Sequence, residues 1–249
     1  MTRILLLGGT TEASSLARKL AAKGLDAVFS YAGRTDDPVQ QPLPTRIGGF
    51  GGISGLADYL RFENISHLID ATHPFAAGMS RNAIAAAELA NIPLCALERA
   101  PWTANEADAW THVANIPAAV SALPEEPTRI FLAIGRQNLA PFAAKPWHQY
   151  LLRFVDPPIC PVPLAGAEHV IARGPFTEAD DLKLLKTRRI KLIVAKNSGG
   201  SGARAKLDAA RVLGLPVIMI DRPAMPTRLV VHDVAAVLAW IGHSDVLGV

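Results

Sequence analysis

The sequence has little cysteine and no long hydrophobic run. Cys95 lies in an apolar stretch and Cys160 lies among prolines, so their number and spacing fit neither a disulfide framework nor a metal site. The apolar run that follows the first three residues is too short for a signal peptide or a membrane helix. We therefore expect reduced thiols, no bound metal and a cytoplasmic chain.

A strong excess of one charge is also missing. Among 249 residues, 25 Lys and Arg stand against 22 Asp and Glu, a formal net charge of +3. This imbalance is too mild for a nucleic-acid surface, although it suits a small-molecule substrate with several carboxylates if arginines gather at one site. Because 50% of the residues are hydrophobic, the chain should be globular. We expect no nucleic-acid or membrane partner; the oligomeric state stays open, with a monomer as the working expectation.

Several catalytic motifs are absent. The sequence contains no G-x-S-x-G, H-E-x-x-H or C-x-x-C. Hydrolase and zinc chemistry therefore lose support. Hydride transfer needs no nucleophile from the protein, since a cofactor carries the reactive hydride.

Short apolar runs alternate along the chain with alanine-rich amphipathic stretches. The first half predicts strands at residues 4–7, 27–30, 46–48, 67–71 and 93–97, and helices at 11–23, 56–62 and 75–91. After a connection at residues 98–113, the second half predicts strands at 129–134, 149–154, 169–173, 190–195 and 217–220, and helices at 177–186, up to 213, and at 234–241. This alternation predicts an α/β fold with two Rossmann-like domains, residues 1–100 and 101–249, mostly parallel sheets and a cofactor cleft between the domains.

A glycine-rich segment follows the first strand and opens the first helix: Gly8, Gly9, Thr10, Thr11 and Glu12. Glycines at this point let the backbone approach a pyrophosphate, and the helix N-terminus supplies N–H groups and positive dipole charge. The segment is not a full G-x-G-x-x-G. A tight turn with an ordinary threonine cap is the alternative.

Arg34 lies just past the second strand, where dinucleotide folds meet the adenosine ribose. An acidic residue there would bind the ribose 2′-hydroxyl, whereas an arginine pairs with a 2′-phosphate. The position favours NADPH over NADH. Asp36 and Asp37 come slightly late, and a ribose contact by Asp36 stays open.

Three further segments carry candidate ligand contacts. The second glycine-rich segment, residues 48–52 with Gly49, either contacts a ligand or is a flexible loop. Thr72 and His73 follow the fourth strand, where ligands of open α/β sheets bind, although a lone histidine is more often structural. In the second half a strand runs into a small-residue loop, which is either a ligand loop or a plain turn. Its candidates are Lys196, Asn197, Ser198 and Gly199.

The motifs together match one family. They are ILLLGGTTEA (4–13), SYAGRT (30–35), GGFGG (48–52), DATHPFA (70–76), RAPW (99–102), AIGRQNL (133–139), RGPF (173–176), KNSGG (196–200) and LGLPVIMIDRP (213–223). In this order they resemble the precorrin-6A reductase family of cobalamin biosynthesis over nearly the whole chain. RAPW departs from the more usual R-P-x-W, which leaves the role of Arg99 open.

The resemblance implies a two-domain Rossmann-like reductase that uses NADPH. It would deliver hydride to C19 of precorrin-6A and reduce the C18–C19 double bond, giving precorrin-6B. Gly9–Glu12 would line the cofactor diphosphate, and Arg34 would approach the 2′-phosphate.

The remaining site residues divide between cofactor and substrate. Thr72, His73 and the loop from Lys196 to Gly199 would surround the ribose and nicotinamide, with His73 and Lys196 as candidate proton sources. The substrate's carboxylates would meet four arginines, each of which could instead be a solvated surface group: Arg99, Arg136, Arg173 and Arg222. Two rivals remain, an S-adenosylmethionine-dependent tetrapyrrole methyltransferase and a non-catalytic protein that binds NADPH or a tetrapyrrole.

Overall fold

A computed structural model describes residues 2–33, 38–158 and 160–247, with only the backbone described for 243–247. The chain divides into two compact units. Unit 1 comprises Met1–Ala100 and Ala224–Val249, and unit 2 comprises Pro101–Pro223. Among the described residues, no helix is both long and apolar enough to span a membrane.

Unit 1 is built on a six-stranded sheet in which every neighbouring pair is parallel. Its strands are β1 (Arg3–Leu7), β2 (Asp26–Tyr31), β3 (Thr45–Ile47), β4 (His67–Asp70), β5 (Leu94–Leu97) and β12 (Leu229–Val231). Its helices are α1 (Thr11–Ala22), α2 (Gly52–Phe62), α3 (Ala77–Ala90) and α7 (Val234–Leu247). The spatial order β3-β2-β1-β4-β5-β12 is that of a dinucleotide-binding Rossmann sheet, with its switch point between β1 and β4.

Both faces of this sheet are covered, because β1 alternates its leucine-rich side chains between them. Ile4 and Leu6 pack with α1 and α7 on one face, and Leu5 and Leu7 pack with α2 and α3 on the other. All four side chains are buried. The core therefore fixes β1 at the centre of the unit, so that its carboxyl end lies at the switch point.

Unit 2 repeats this architecture around a second six-stranded parallel sheet. Its strands are β6 (Trp110–Val113), β7 (Arg129–Ala133), β8 (Gln149–Phe154), β9 (Glu168–Ile171), β10 (Leu192–Lys196) and β11 (Val217–Ile220). Its helices are α4 (Ile116–Ser121), α5 (Glu178–Thr187) and α6 (Ala205–Val212), and two 3₁₀ helices follow β7. The order β9-β8-β7-β10-β11-β6 matches unit 1, with the earliest strand in the sixth place. Two α/β units with parallel sheets confirm the predicted fold class.

The predicted domain boundary at the C-terminal side is wrong. The alternation of strands and helices predicts that everything after residue 100 belongs to the second domain, whereas β12 pairs with β5 and α7 packs on α1. Val237 and Ile241 are 0% and 2% exposed in the same core cluster as Leu16. Hydrophobic burial therefore assigns the last 26 residues, 224–249, to unit 1.

The predicted connection at residues 98–113 is also wrong at its end, since its last residues form β6. β6 pairs with β11 as the edge strand of unit 2. Its four residues are exposed or half-buried, so they lack the apolar run that signals a buried strand. Each sheet thus takes its sixth strand from the chain that follows the fifth strand of the other sheet.

Candidate functional site

Two adjacent glycines shape the turn after β1. The Gly8 N–H donates to the Ser30 carbonyl at 2.9 Å, and a Cβ added at Gly8 would lie 2.0 Å from Phe29 Cζ. Gly9 is exposed with φ +124°, and no atom lies within 4 Å of where its Cβ would be. Gly8 is therefore required for packing, whereas Gly9 provides an open backbone surface at the end of β1.

Thr10 joins this turn to the end of β4. Its hydroxyl accepts the Ala13 N–H at 3.1 Å as the N-cap of α1, and it donates to the Ala71 carbonyl at 2.9 Å. Thr11 donates to Glu12 Oε2 at 3.0 Å in the first helical turn. We call the segment 8–12 the glycine turn. Its Thr10 hydroxyl caps α1 and joins the turn to the residue after β4, on the other side of the switch point.

The end of β4 is organised by Asp70, which the sequence analysis did not select. This carboxylate is 3% exposed, and its Oδ1 accepts the Thr72 N–H at 3.1 Å and the Thr72 hydroxyl at 2.7 Å. The Thr72 hydroxyl also lies 3.4 Å from Ser80 Oγ. The signal was the Asp-x-Thr spacing, which is typical of a side-chain-to-backbone turn.

His73 is half-buried, and its Nδ1 accepts the Phe75 N–H at 3.2 Å. A ring nitrogen that accepts a backbone hydrogen bond carries no proton, so the neutral imidazole has its N–H on Nε2. His73 is thereby held as a potential Nε2–H donor next to Thr72.

The glycine-rich segment at residues 48–52 connects β3 to the start of α2 and is held by Arg46. Arg46 Nη1 donates to Ser30 Oγ at 3.0 Å and to the Gly48 carbonyl at 2.9 Å, and Nη2 donates to the Gly49 carbonyl at 3.1 Å. The guanidinium carbon lies 3.8 Å from the centre of the Phe50 ring. The sequence gives no local signal for the contact between Arg46 and Ser30, because it forms only when β3 pairs with β2.

Arg34, Asp36 and Asp37 lie outside the described residues. The nearest described residue on the strand side is Gly33, at which a Cβ would lie 3.5 Å from Ile47 Cγ2. The segment after β2 therefore starts beside the end of β3.

In unit 2 the loop at residues 196–200, which begins at the last residue of β10, is held by Trp102. The Trp102 N–H donates to Asn197 Oδ1 at 2.8 Å, and Asn197 Nδ2 donates to the Trp102 carbonyl at 2.9 Å. The indole N–H donates to the Gly200 carbonyl at 2.6 Å. The Asn197 side chain is 5% exposed, so it fixes the loop, which presents Lys196, Ser198 and Gly199 at the end of β10.

A buried lysine lies beneath this loop. Lys206 is 7% exposed, its Nζ lies 4.9 Å from the Trp102 ring centre, and it donates to the Ala203 carbonyl. Burial lowers the pKa of Lys206 from 10.5 to about 8, opposed in part by the Asp181 carboxylate, which forms an ion pair with Arg153. A largely desolvated charge cluster therefore supports the Trp102 side of the loop.

Arg136 and Arg173 converge on one segment after β8. Arg136 Nη2 lies 3.4 Å from the Asp156 and Pro157 carbonyl oxygens, and its guanidinium carbon is 5.4 Å from the Phe154 ring centre. Arg173 Nη2 lies 3.2 Å from Asp156 Oδ1. Both arginines are exposed, which leaves their guanidinium groups accessible to an anionic ligand.

The other two predicted arginines lie elsewhere. Arg222 donates from Nε to the Asn197 carbonyl at 3.0 Å and from Nη2 to the Ser198 carbonyl at 3.2 Å. Arg99 belongs to unit 1, where its Nη1 is 3.6 Å from Glu12 Oε2. Unit 2 therefore brings Arg136 and Arg173 together, while Arg222 contacts the loop at residues 196–200.

The sheet order and the glycine turn define an α/β protein of the Rossmann type, a fold in which ligands bind at the carboxyl ends of the strands. A family model described as precorrin-6x reductase CbiJ/CobK matches residues 3–242. The chain belongs to this family of oxidoreductases, which confirms the resemblance carried by the sequence motifs.

Individual relatives are similar in sequence to this chain over nearly their full length. A precorrin-6A reductase of Rhodobacter capsulatus is 62% identical over 241 residues, 97% of this chain and 96% of the relative. A precorrin-6A reductase of Mycobacterium tuberculosis is 41% identical over 94% of each chain, and a cobalt-precorrin-6A reductase of Priestia megaterium is 31% identical over 88% of this chain and 90% of its own. A solved structure of a CobK precorrin-6A reductase superposes with a TM-score of 0.94 at 62% identity, covering 98% of this chain and 97% of that one.

Proposed function

We propose that this chain catalyses the NADPH-dependent reduction of precorrin-6A to precorrin-6B in cobalamin biosynthesis, with hydride delivered to C19 and loss of the C18–C19 double bond. The bound nicotinamide supplies the hydride. The protein binds the cofactor and the macrocycle, orients them, and supplies the proton for the carbon next to C19. Family membership supports the reaction, and the residues below support how this chain performs it.

The observation that carries the cofactor proposal is the glycine turn at the switch point of unit 1. Gly9 leaves the backbone open, and Thr10 fixes the start of α1 against the end of β4. First-turn N–H groups have no partner within their own helix, and the helix dipole adds positive charge. These features fit the diphosphate of a nicotinamide dinucleotide.

Preference for NADPH is assigned to Arg34, whose guanidinium would pair with the 2′-phosphate. Arg46 supports this edge because it holds Ser30 and the Gly48 and Gly49 carbonyls, and Gly48 lies next to Gly33, the residue before Arg34 in the sequence. With the Arg34→Ala substitution, affinity for NADPH should approach that for NADH.

The substrate carboxylates are assigned to Arg136 and Arg173. Asp156 holds both cations at one place, and the Phe154 ring beside Arg136 offers an apolar surface to a flat macrocycle. Arg222 is proposed to act through the loop at residues 196–200, since it donates to two of that loop's carbonyls.

The proton for C18, the carbon next to C19, is assigned to His73 or Lys196. When neutral, His73 accepts the Phe75 N–H at Nδ1 and carries its proton on Nε2, where it can orient substrate or water, and it would supply a proton only as the imidazolium. If single-turnover reduction is unchanged in both His73→Ala and Lys196→Ala, neither side chain is the acid.

The test is a binding and turnover experiment on the purified chain. NADPH, NADH and S-adenosylmethionine are titrated separately, and nicotinamide absorbance is then followed with precorrin-6A present. The proposal expects NADPH to bind tightest and one NADPH to be consumed per macrocycle. Tight binding of S-adenosylmethionine with methyl transfer would identify a methyltransferase, and NADPH binding without oxidation would identify a non-catalytic binder.

A further inference from the structure

Arg99 starts from a rigid backbone at the end of β5. The neighbouring Glu98 N–H donates to the Val231 carbonyl at 2.9 Å. The Glu98 side chain forms an ion pair with Arg228, whose side chain is only 6% exposed. Arg99 is therefore held at a fixed point of the unit 1 sheet.

The Arg99 side chain reaches the first turn of α1. Its Nη1 is 3.6 Å from Glu12 Oε2, the same oxygen that accepts the Thr11 hydroxyl. The Arg99 and Glu12 side chains are 16% and 25% exposed, so solvent screens this pair less than a surface pair. A cation thus lies beside the glycine turn.

Glu12 creates an electrostatic conflict that this cation offsets. A carboxylate in the first turn stabilises a helix through its dipole, but it repels a second anion placed on the same N-terminus. A dinucleotide diphosphate is such an anion. An arginine next to Glu12 offsets the carboxylate's charge, and a planar guanidinium is the side-chain group best suited to bind phosphate oxygens.

We propose that Arg99 is a cofactor-binding residue that neutralises Glu12 and contacts the diphosphate, in place of the substrate-carboxylate role expected from the sequence. This inference rests on the proposed use of NADPH. It separates the arginines by ligand: Arg99 serves the cofactor in unit 1, and Arg136 and Arg173 serve the substrate in unit 2.

The experiment is a double-mutant cycle on NADPH affinity, measured by calorimetry for the intact chain. Arg99→Ala should raise the Kd for NADPH about tenfold or more, the effect of losing one charge-assisted contact. Glu12→Gln alone should bind at least as well as the unaltered protein. The variant with both changes should recover only the part of the affinity that was lost to repulsion by Glu12, because the lost contact between Arg99 and the diphosphate is not restored.

Three comparisons make the result specific. Arg99→Lys keeps the charge and should retain most of the affinity, and Arg81→Ala removes an exposed cation of the same unit and should leave the Kd unchanged. Adenosine 2′-monophosphate lacks the diphosphate, so its affinity should be the same in Arg99→Ala and the unaltered protein.

Two results would overturn the inference while leaving the proposed function intact. One is an unchanged NADPH Kd in Arg99→Ala together with a raised KM for precorrin-6A. The other is a double variant that binds no better than Arg99→Ala. Failure of the unaltered protein to bind NADPH would instead overturn the proposed function, and this inference with it.

Discussion

At the scale of single residues, position 8 requires glycine because the Phe29 ring leaves no room for a side chain, and not because of its backbone angles. Phe29 is fully buried, so it cannot move away from a methyl group at Gly8. Gly8→Ala should lower the free energy of unfolding by about 1–3 kcal/mol through overpacking. Urea denaturation of the two proteins measures this difference.

Gly78→Ala is the matched control for that substitution. Gly78 is exposed near the start of α3, its φ is not positive and no atom lies within 4 Å of an added Cβ. The Gly78→Ala substitution should stabilise the protein by up to about 1 kcal/mol, since alanine is the better helix former. Equal effects at both glycines would contradict the packing argument.

The buried Lys206 should make stability depend on pH in a defined window. Its folded-state pKa of about 8 lies below the ordinary 10.5, so between these pH values the unfolded state binds more protons and stability rises with pH. Below about pH 8 the burial cost of the charge is fully present. Lys206→Met lacks this titration.

Between pH 8 and 10.5 the free energy of unfolding of the unaltered protein should therefore rise by roughly 2–3 kcal/mol relative to that of Lys206→Met. Urea denaturation at both ends of the range measures the gain. Parallel pH profiles would show that the lysine is not desolvated in solution. The Asp181, Arg153 and Asp208 charges that face it stay the same in both proteins.

Local sequence signals selected some site residues but missed others. The cap at Thr10 depends on a residue three positions along, so it was predictable from spacing. Trp102 reaches Asn197 across 95 positions, and the site role of Arg46 arises only when β2 and β3 pair. Such contacts are set by the fold, which no local pattern specifies.

At the scale of elements, the start of α1 depends on the two hydrogen bonds of the Thr10 hydroxyl. Thr10→Ala removes the cap and the tie to Ala71, and it should lower the free energy of unfolding by about 1 kcal/mol and weaken NADPH binding. Thr10→Ser keeps the hydroxyl and should behave like the unaltered protein. If serine and alanine variants bind NADPH equally, the tie does not shape the site.

Strong periodicity predicted most elements of both sheets, including β1, β4, β7 and β10. The short edge strands β6 and β12 were missed. Their residues are exposed or half-buried, so their sequences show neither a buried run nor a clear alternation. α4, with six residues, is too short for a helical period to be seen.

At the scale of the whole molecule, the two units use the same edge of the same sheet topology. The glycine turn follows β1, and Gly135-Arg136 follows β7 at the equivalent strand of unit 2. Thr72-His73 follows β4, and the loop at residues 196–200 lies at the end of the equivalent β10. These four segments therefore lie at two switch points, whereas Arg99, Arg173 and Arg222 follow other strands.

The exchange of sixth strands explains why the domain boundary was mispredicted. Periodicity shows that a segment is a strand or a helix, but not which sheet it joins. Residues 224–249 were therefore placed with the unit that precedes them in the chain. Only the pairing of β12 with β5 and the burial of Val237 against α1 reveal their place.

A chain ending after residue 223 should lose the fold of unit 1. It would expose β5 as an edge and remove Val237 and Ile241 from the core. Hydrogen exchange should show unprotected amides in β1 and α1. A chain ending after residue 242 keeps both core residues and should stay protected, and native protection in the shorter chain would contradict the division into units.

The most direct test of the account follows a deuterium atom from NADPH to the macrocycle. NADPH deuterated at the transferable C4 position is incubated with precorrin-6A and the purified chain, and the product is examined by NMR and mass spectrometry. If the chain delivers hydride from NADPH to C19, the product carries one deuterium, bound at C19. Product without deuterium, or with deuterium at C18, would contradict it.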